Sequence, residues 1–191
     1  MARPGRRPGP TETRETILSA ARELFGERGY DSTTIRAIAG QAGVDPALVH
    51  HFYGSKEQVF VAAMRVPFNP ADAISTIVDG PREQVAERMM RFFIGVWSEP
   101  DSRAAFLGLM RSAMTNEQAA AMVRQFLRHA LLGRVAAVLD VPPLRAEAAM
   151  SHLIGLMLMR FVLRLDPLAT AEEEEMIRLV APSVQRYFDA E

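Results

Sequence analysis

The sequence predicts an all-α protein, and three observations lead there. Apolar residues recur at spacings of three and four along nearly the whole chain, no stretch alternates with period two for long enough to build a sheet, and Gly and Pro punctuation cuts the chain into helix-sized pieces. With 191 residues, 49% of them hydrophobic, the chain can close a sizeable core, as one domain or as a small head on a larger body. The net charge of -1 conceals an asymmetry: residues 1–56 balance at +2 and the remainder at -3.

The elements follow in order. Residues 1–10 carry Arg3, Arg6 and Arg7 and no acid, and are expected to form a flexible basic arm with a modest attraction for polyanions. An amphipathic helix runs from Thr11 to Arg28 with Ile17, Ala21, Leu24 and Phe25 on one face, and Gly29 serves as its stop. Thr33 is the expected N-cap of a helix over Thr34 to Gln41, and Gly43 supplies the next turn. Asp45 caps a third helix that opens on Pro46, where a missing N–H costs nothing. Ser55 and Gln58 form a capping box for a fourth helix, which Pro67 and Pro70 stop near Val66. Later breaks fall at Asp79-Gly80-Pro81, Glu99-Pro100, Thr115-Asn116, Pro142-Pro143 and Asp166-Pro167, giving about nine helices in all. The last is expected to start at a Thr170–Glu173 capping box, with Glu172 to Glu175 on the positive end of its dipole and Pro182 inside it.

Composition excludes several classes. With no cysteine there is no disulfide frame, thiolate nucleophile or cysteine-ligated metal. The N-terminus lacks the apolar core of a secretory signal, and the most apolar stretch, Ala148 to Met159, is shorter than the roughly 18 residues a membrane span needs. A soluble, cytoplasmic protein with no membrane partner is therefore expected. Catalysis would require an oriented nucleophile and base or clustered carboxylates, and none stands out, so neither enzyme activity nor a cofactor is expected. Adjacent residues on a helix point about 100° apart, so His50 and His51 cannot clamp one metal, and no metal is expected.

Residues Thr33 to Tyr53 read as helix, Gly turn, helix, with Ile35, Ile38, Ala39, Val44, Val49 and Phe52 spaced to meet in one small core. This is a helix-turn-helix pattern. At 100° per residue the second helix turns Val49, Phe52 and Tyr53 inward and Ala47, His50 and His51 outward, with Pro46 and Leu48 on the flanks. The outward face is the DNA face. Ala47 or Leu48 is suited to a thymine methyl, His50 and His51 to phosphates or guanine acceptors. No Asn, Gln, Arg or Lys stands on this helix, so Arg36 is the candidate reader of a guanine, with a phosphate pairing as its alternative role.

The stretch Thr13 to Met64 resembles the DNA-binding domain of the TetR family of transcriptional regulators. The resemblance rests above all on Thr34-Ile-Arg-Ala-Ile-Ala-Gly-Gln-Ala-Gly-Val44 and Leu48-Val-His-His-Phe-Tyr-Gly-Ser-Lys56. It implies a DNA-binding domain over residues 11–56, a helical ligand-binding and dimerisation domain over 57–191, and DNA contacts from Thr34, Arg36, Ala47, Leu48, His50, His51 and Lys56, the last to a phosphate. The family usually has Tyr where His50 stands, so a phenol contact is absent there. The segment Gly155 to Pro167 also resembles C-terminal domains of such regulators.

In the body, stripes of Met89, Met90, Phe93, Val96 and Trp97, of Phe106, Leu109, Met110, Ala113 and Met114, and of Met122, Phe126 and His129 are core by default. Their Met and aromatic content suits an adaptable apolar cavity. Phe93, Trp97, Met110, Met114, Met122, Phe126, His129 and His152 are the candidate contacts to a small apolar effector. The helix expected from Leu144 to Leu165 is apolar nearly all round, more than one body can cover. Ala148, Ser151, Gly155, Val180, Val184 and Tyr187 are the candidate contacts of a homodimer. With the family resemblance, these imply a ligand-responsive regulator on palindromic double-stranded operator DNA, and the resemblance implies a repressor, the family's common mode. The competing readings are a helical binding protein or enzyme that retains a vestigial helix-turn-helix, and a DNA binder with a solid body.

Overall fold

The structure, a computed structural model, describes residues 10–189. The arginines of the expected basic arm lie outside the described residues. Among the described residues all regular structure is helical, and they divide into two compact units: residues 10–65 with 111–126, and residues 66–110 with 127–189.

The first unit contains α1 (Pro10–Ser32), α2 (Ile35–Ala42), α3 (Pro46–Tyr53), α4 (Lys56–Met64) and, returning later in the chain, α8 (Glu117–Gln125). α1 is the spine, packed on α2, α4 and α8. Its buried face is Ile17, Ala21, Leu24 and Phe25, as its periodicity requires. Phe25 meets Phe60 of α4 edge-on at 4.8 Å, and Tyr30 lies 5.0 Å from the same ring. Whereas the sequence reading ends the head at residue 56, α4 and residues 111–126 stand with it, because α1 offers them its apolar face.

Two local expectations change. α1 runs to Ser32 across a break at Gly29, whose φ of 82° is positive as a glycine stop requires but whose ψ of 167° lies outside the left-handed helical region expected. The N-cap of α2 is Thr34, not Thr33: Thr34 Oγ1 accepts from the Ala37 N–H at 3.1 Å. Thr33 is instead buried, its hydroxyl directed at the carbonyls of Gly29 (2.8 Å) and Leu24 (3.1 Å). Tertiary satisfaction of the end of α1 takes precedence over capping.

The second unit contains α5 (Pro70–Val78), a 3-10 turn (Arg82–Gln84), α6 (Val85–Ser98), the Pro100–Met110 part of α7 (Pro100–Thr115), α9 (Leu132–Leu139), α10 (Pro143–Met157) and α11 (Glu173–Gln185). α6 is central and packs on α5, α10 and α11. Its Met89, Met90, Phe93 and Trp97 are buried, as the stripe predicts. Arg82 closes the unit by donating to the carbonyls of Leu139 (2.6 Å) and Phe188 (2.7 and 3.0 Å). π-helical stretches at Phe126–Leu131 and Leu158–Val162 continue α8 into α9 and extend α10; both were invisible to a 3.6-residue period. A Cβ on Gly133 would overlap the Arg128 carbonyl oxygen, so the first stretch needs a glycine there. α11 begins at Glu173 rather than Thr170, with Glu172 as an N-cap that makes no side-chain bond. The Thr170 hydroxyl donates back to Pro167 instead (3.3 Å). The acidic first turn and the internal Pro182 are as expected.

Candidate nucleic-acid interface and effector recess

The local chemistry of α3 fixes what it can present. Asp45 Oδ1 accepts from the Ala47 N–H at 2.7 Å, Pro46 starts the helix, and the Gly54 N–H closes it on the His50 carbonyl at 2.8 Å. Val49 is fully buried, Pro46, Leu48, Phe52 and Tyr53 are half-buried, and Ala47, His50 and His51 are exposed, so the outward face is the one the sequence predicts. The inward edge is anchored to α1: the Tyr53 hydroxyl donates to the Arg14 carbonyl (3.1 Å), and the Arg14 guanidinium lies 5.0 Å from the centre of the Phe52 ring. Burial pushes the Tyr53 phenol above its ordinary value, which keeps it a neutral donor.

Thr34, Arg36, Ala47, Leu48, His50, His51 and Lys56 all fall on α2, α3, α4 or their caps within the first unit. Thr34 uses its oxygen as the cap of α2, which leaves its proton for a phosphate. Arg36 is exposed. The Lys56 ammonium lies 3.2 Å from the Asp31 carbonyl and 4.4 Å from the centre of the Tyr30 ring. His50 is oriented by its own helix end. Its Nδ1 lies 2.9 Å from the Gly54 carbonyl oxygen, which can only accept, so Nδ1 carries the proton. Nε2 is left free of that contact on the exposed face of α3.

The expected effector contacts separate between the units. Met114, Met122 and Phe126 belong to the first, and Phe93, Trp97, Met110, His129 and His152 to the second. Met114 is 83% exposed and His129 is exposed, so neither lines an enclosed cavity. His152 packs edge-on to Tyr187 at 6.4 Å. The second unit does hold an open recess of about 390 Å³, lined by Arg103, Arg160, Phe161, Arg164, Asp166, Ala169 and Thr170. No predicted effector residue lines it. Trp97 reaches it at one remove, its ring 6.4 Å from Phe161 and 4.8 Å from Phe106. Sequence reasoning missed the recess because charged residues on a half-exposed helix end carry no periodic signal.

Of the expected dimer contacts, Ser151 and Gly155 are exposed and Ala148, Val180 and Tyr187 half-exposed. Val184 is corrected: it is fully buried in its own unit, where α11 packs on α6. The apolar side chain that α11 does expose is Leu179.

Among the described residues no cluster of side chains could hold a metal ion, and no helix is long and apolar enough to cross a membrane. A capped helix-turn-helix joined to a larger helical body defines a DNA-binding regulator. Residues 17–63 match the family model described as bacterial regulatory proteins, tetR family, and residues 83–188 match one described as tetracyclin repressor-like, C-terminal domain. The second match covers more than half of the chain, and the protein belongs to the TetR family of transcriptional regulators, with DNA-binding and ligand-binding domains. The HTH-type transcriptional regulator BetI of Agrobacterium fabrum is 28% identical over 186 residues, 92% of this chain and 86% of that protein. BetI of Rhizobium meliloti is 33% identical over 109 residues, 55% of this chain, and that match spans only 54% of the relative's length. Among solved structures, a TetR-family regulator from Streptomyces coelicolor is 39% identical, covering 97% of this chain and 99% of that one, with a TM-score of 0.47. A second S. coelicolor regulator, 18% identical over 93% of this chain and 99% of that one, has a TM-score of 0.52 and shares the fold.

Proposed function

We propose that this protein is a ligand-responsive repressor that binds a palindromic operator as a homodimer and leaves it when a small molecule with an apolar body binds the second unit. The observation that carries the DNA half is the split of α3, with Val49 buried and Ala47, His50 and His51 exposed on one face between two caps. Thr34 and Lys56 flank that face as phosphate contacts, and Arg36 is its base or phosphate contact. Dimerisation is supported by Ser151, Gly155 and Met159, exposed at four-residue spacing along α10 and its π-helical continuation, and by Leu179 on α11. These form one helix-to-helix seam around a two-fold axis. The effector's apolar part belongs near Trp97, Phe106 and Phe161, where Phe93 and Met110 can adjust around it.

Selection of bound fragments from a random DNA pool tests the reading. The expected product is a palindrome whose half-sites are at least one helical turn apart, roughly 34 to 36 Å. Recovery of single half-sites, or no enrichment, would overturn it.

A further inference from the structure

Among the described residues, the recess in the second unit is lined by an excess of positive charge. Three arginines line it against one carboxylate, Asp166. The Arg103 and Arg160 guanidinium carbons lie 5.8 and 5.6 Å from the centre of one ring, Phe161, so two like charges share one aromatic partner. Among the described residues, the bonds that hold Arg103 and Arg160 go to neutral groups. Arg103 Nη1 donates to the Trp97 carbonyl at 2.6 Å, and Arg160 donates to the carbonyls of Leu168 (2.6 Å) and Ala171 (2.8 Å). Carbonyls orient a guanidinium without cancelling its charge, and no ion pair among the described residues includes Arg103, Arg160 or Arg164.

The backbone reinforces the arrangement. Arg160 and Phe161 lie on the π-helical stretch Leu158–Val162, a distortion that often marks functional positions. Arg164 follows with a φ of 51°, a left-handed conformation uncommon for a residue with a side chain. It is held there by the Leu163 N–H on Leu158 (3.0 Å) and the Leu165 N–H on Met159 (3.1 Å). A surface helix end would ordinarily dilute or pair such charge. Here a distorted helix and a strained turn concentrate it around one aromatic ring.

We infer that this recess binds a small organic anion, its oxyanion head received by Arg103, Arg160 and Arg164 and its apolar body set against Phe161 and Ala169. At about 390 Å³ the space lies toward the lower end of small-molecule sites. The net charge of the lining suits a carboxylate or a phosphate monoester, while Asp166 disfavours a polyanion. This assigns a chemical class to the effector of the proposed function and rests on that reading for its regulatory meaning, but the binding itself requires no DNA.

Trp97 is the only tryptophan and stacks on Phe161, so its emission reports occupancy of the recess. The experiment titrates the full-length protein with benzoate, phenylacetate, decanoate and phenyl phosphate. Each is paired with its neutral counterpart: benzamide, phenylacetamide, decanol and phenol. At least one anion is expected to bind about tenfold more tightly than its counterpart, because its head makes charge-assisted bonds that the neutral group cannot. Arg164→Gln, which removes no side-chain bond seen among the described residues, and Arg160→Gln should each weaken that anion about tenfold, and Asp166→Asn should tighten it. Whether a carboxylate or the phosphate gains most identifies the head group. No preference for any anion, or a preference that survives both Arg164→Gln and Arg160→Gln, would overturn the inference. Operator affinity is measured separately: an anion that binds without changing it would leave the recess standing and remove its role as effector site.

Discussion

Replacing Gly29 by alanine isolates the device that turns the chain from α1 into the DNA-reading helices. Gly29 has φ 82° and ψ 167°, a region essentially restricted to glycine, and holding another residue there costs roughly 1 to 3 kcal/mol. An added Cβ would also lie 3.2 Å from Gln125 Nε2, a tight approach to the far end of a flexible side chain. That side chain is itself engaged, since its Oε1 accepts from the Tyr30 N–H. Gly29→Ala is therefore expected to destabilise the protein by about 2 kcal/mol, lowering the melting temperature by roughly 4 to 8 °C for a chain of this size. Urea unfolding followed at 222 nm should show a lower midpoint with an unchanged slope. Strain and crowding separate in a double-mutant cycle with Gln125→Ala. If backbone strain dominates, the alanine at 29 costs the same in both backgrounds to within about 0.5 kcal/mol; if crowding dominates, removing Gln125 relieves it. A Gly29→Ala variant as stable as the parent would refute the reasoning.

The remaining predictions concern DNA, assembly and pH. Lys56→Gln should weaken every DNA sequence about equally and lower the salt slope by about one, and a loss that depends on sequence would count against a phosphate role. Arg36→Ala should relax preference at one base pair by roughly 1 to 3 kcal/mol, measured by competition between operator variants; uniform weakening would make it a phosphate contact. Gly155→Arg should abolish the dimer without unfolding the chain, because nothing lies within 4 Å of a Cβ there, and a mutant still dimeric by light scattering would refute that seam. Arg91 joins Glu87 (2.9 Å) and Glu174 (2.6 Å), and its hydrogen bond holds the Glu174 carboxyl below the ordinary value of 4.5. A carboxylate so lowered adds stability above the ordinary glutamate range and loses it as pH falls through the lowered value. The wild type should therefore exceed Arg91→Gln in urea midpoint at about pH 7, and the gap should close as pH falls below the ordinary glutamate range and be narrower throughout in high salt.

What was legible in the sequence was local. Asp45, Pro46 and Ser55 act on backbone within three residues of themselves, so spacing alone places them, and the structure has each in its expected role. The faces of α3 follow from the same short-range logic: one small core fixes Val49, and a helical period then fixes Ala47, His50 and His51. Adjacent threonines were not separable, because the choice between Thr33 and Thr34 as cap depends on carbonyls of α1 that only the fold brings near. Val184 read as surplus apolar surface because α6, its cover, lies about a hundred residues earlier in the chain. The arginine recess was the least legible feature. It gathers Arg103 from α7 with residues beyond the last regular turn of α10, and a π-helical insertion shifts the period that would have grouped them.

The recess also bears on how much work an effector must do. Moving a regulator from 99:1 to 1:99 in favour of release requires a preference of roughly 5.5 kcal/mol for the released state. Apolar packing near Trp97 tends to bind both states alike unless the cavity itself changes shape. Directional bonds discriminate more sharply: a hydrogen bond to a charged group contributes roughly 1.5 to 3 kcal/mol, so two or three arginine bonds formed in one state alone reach the required difference. Arg103 and Arg164 offer the test, because one stands on a regular helix, α7, and the other on a left-handed turn. Arg103→Gln and Arg164→Gln should each weaken anion binding; at saturating anion, a variant that leaves the operator response intact has lost affinity alone, and one that lowers it has lost part of the roughly 5.5 kcal/mol preference as well.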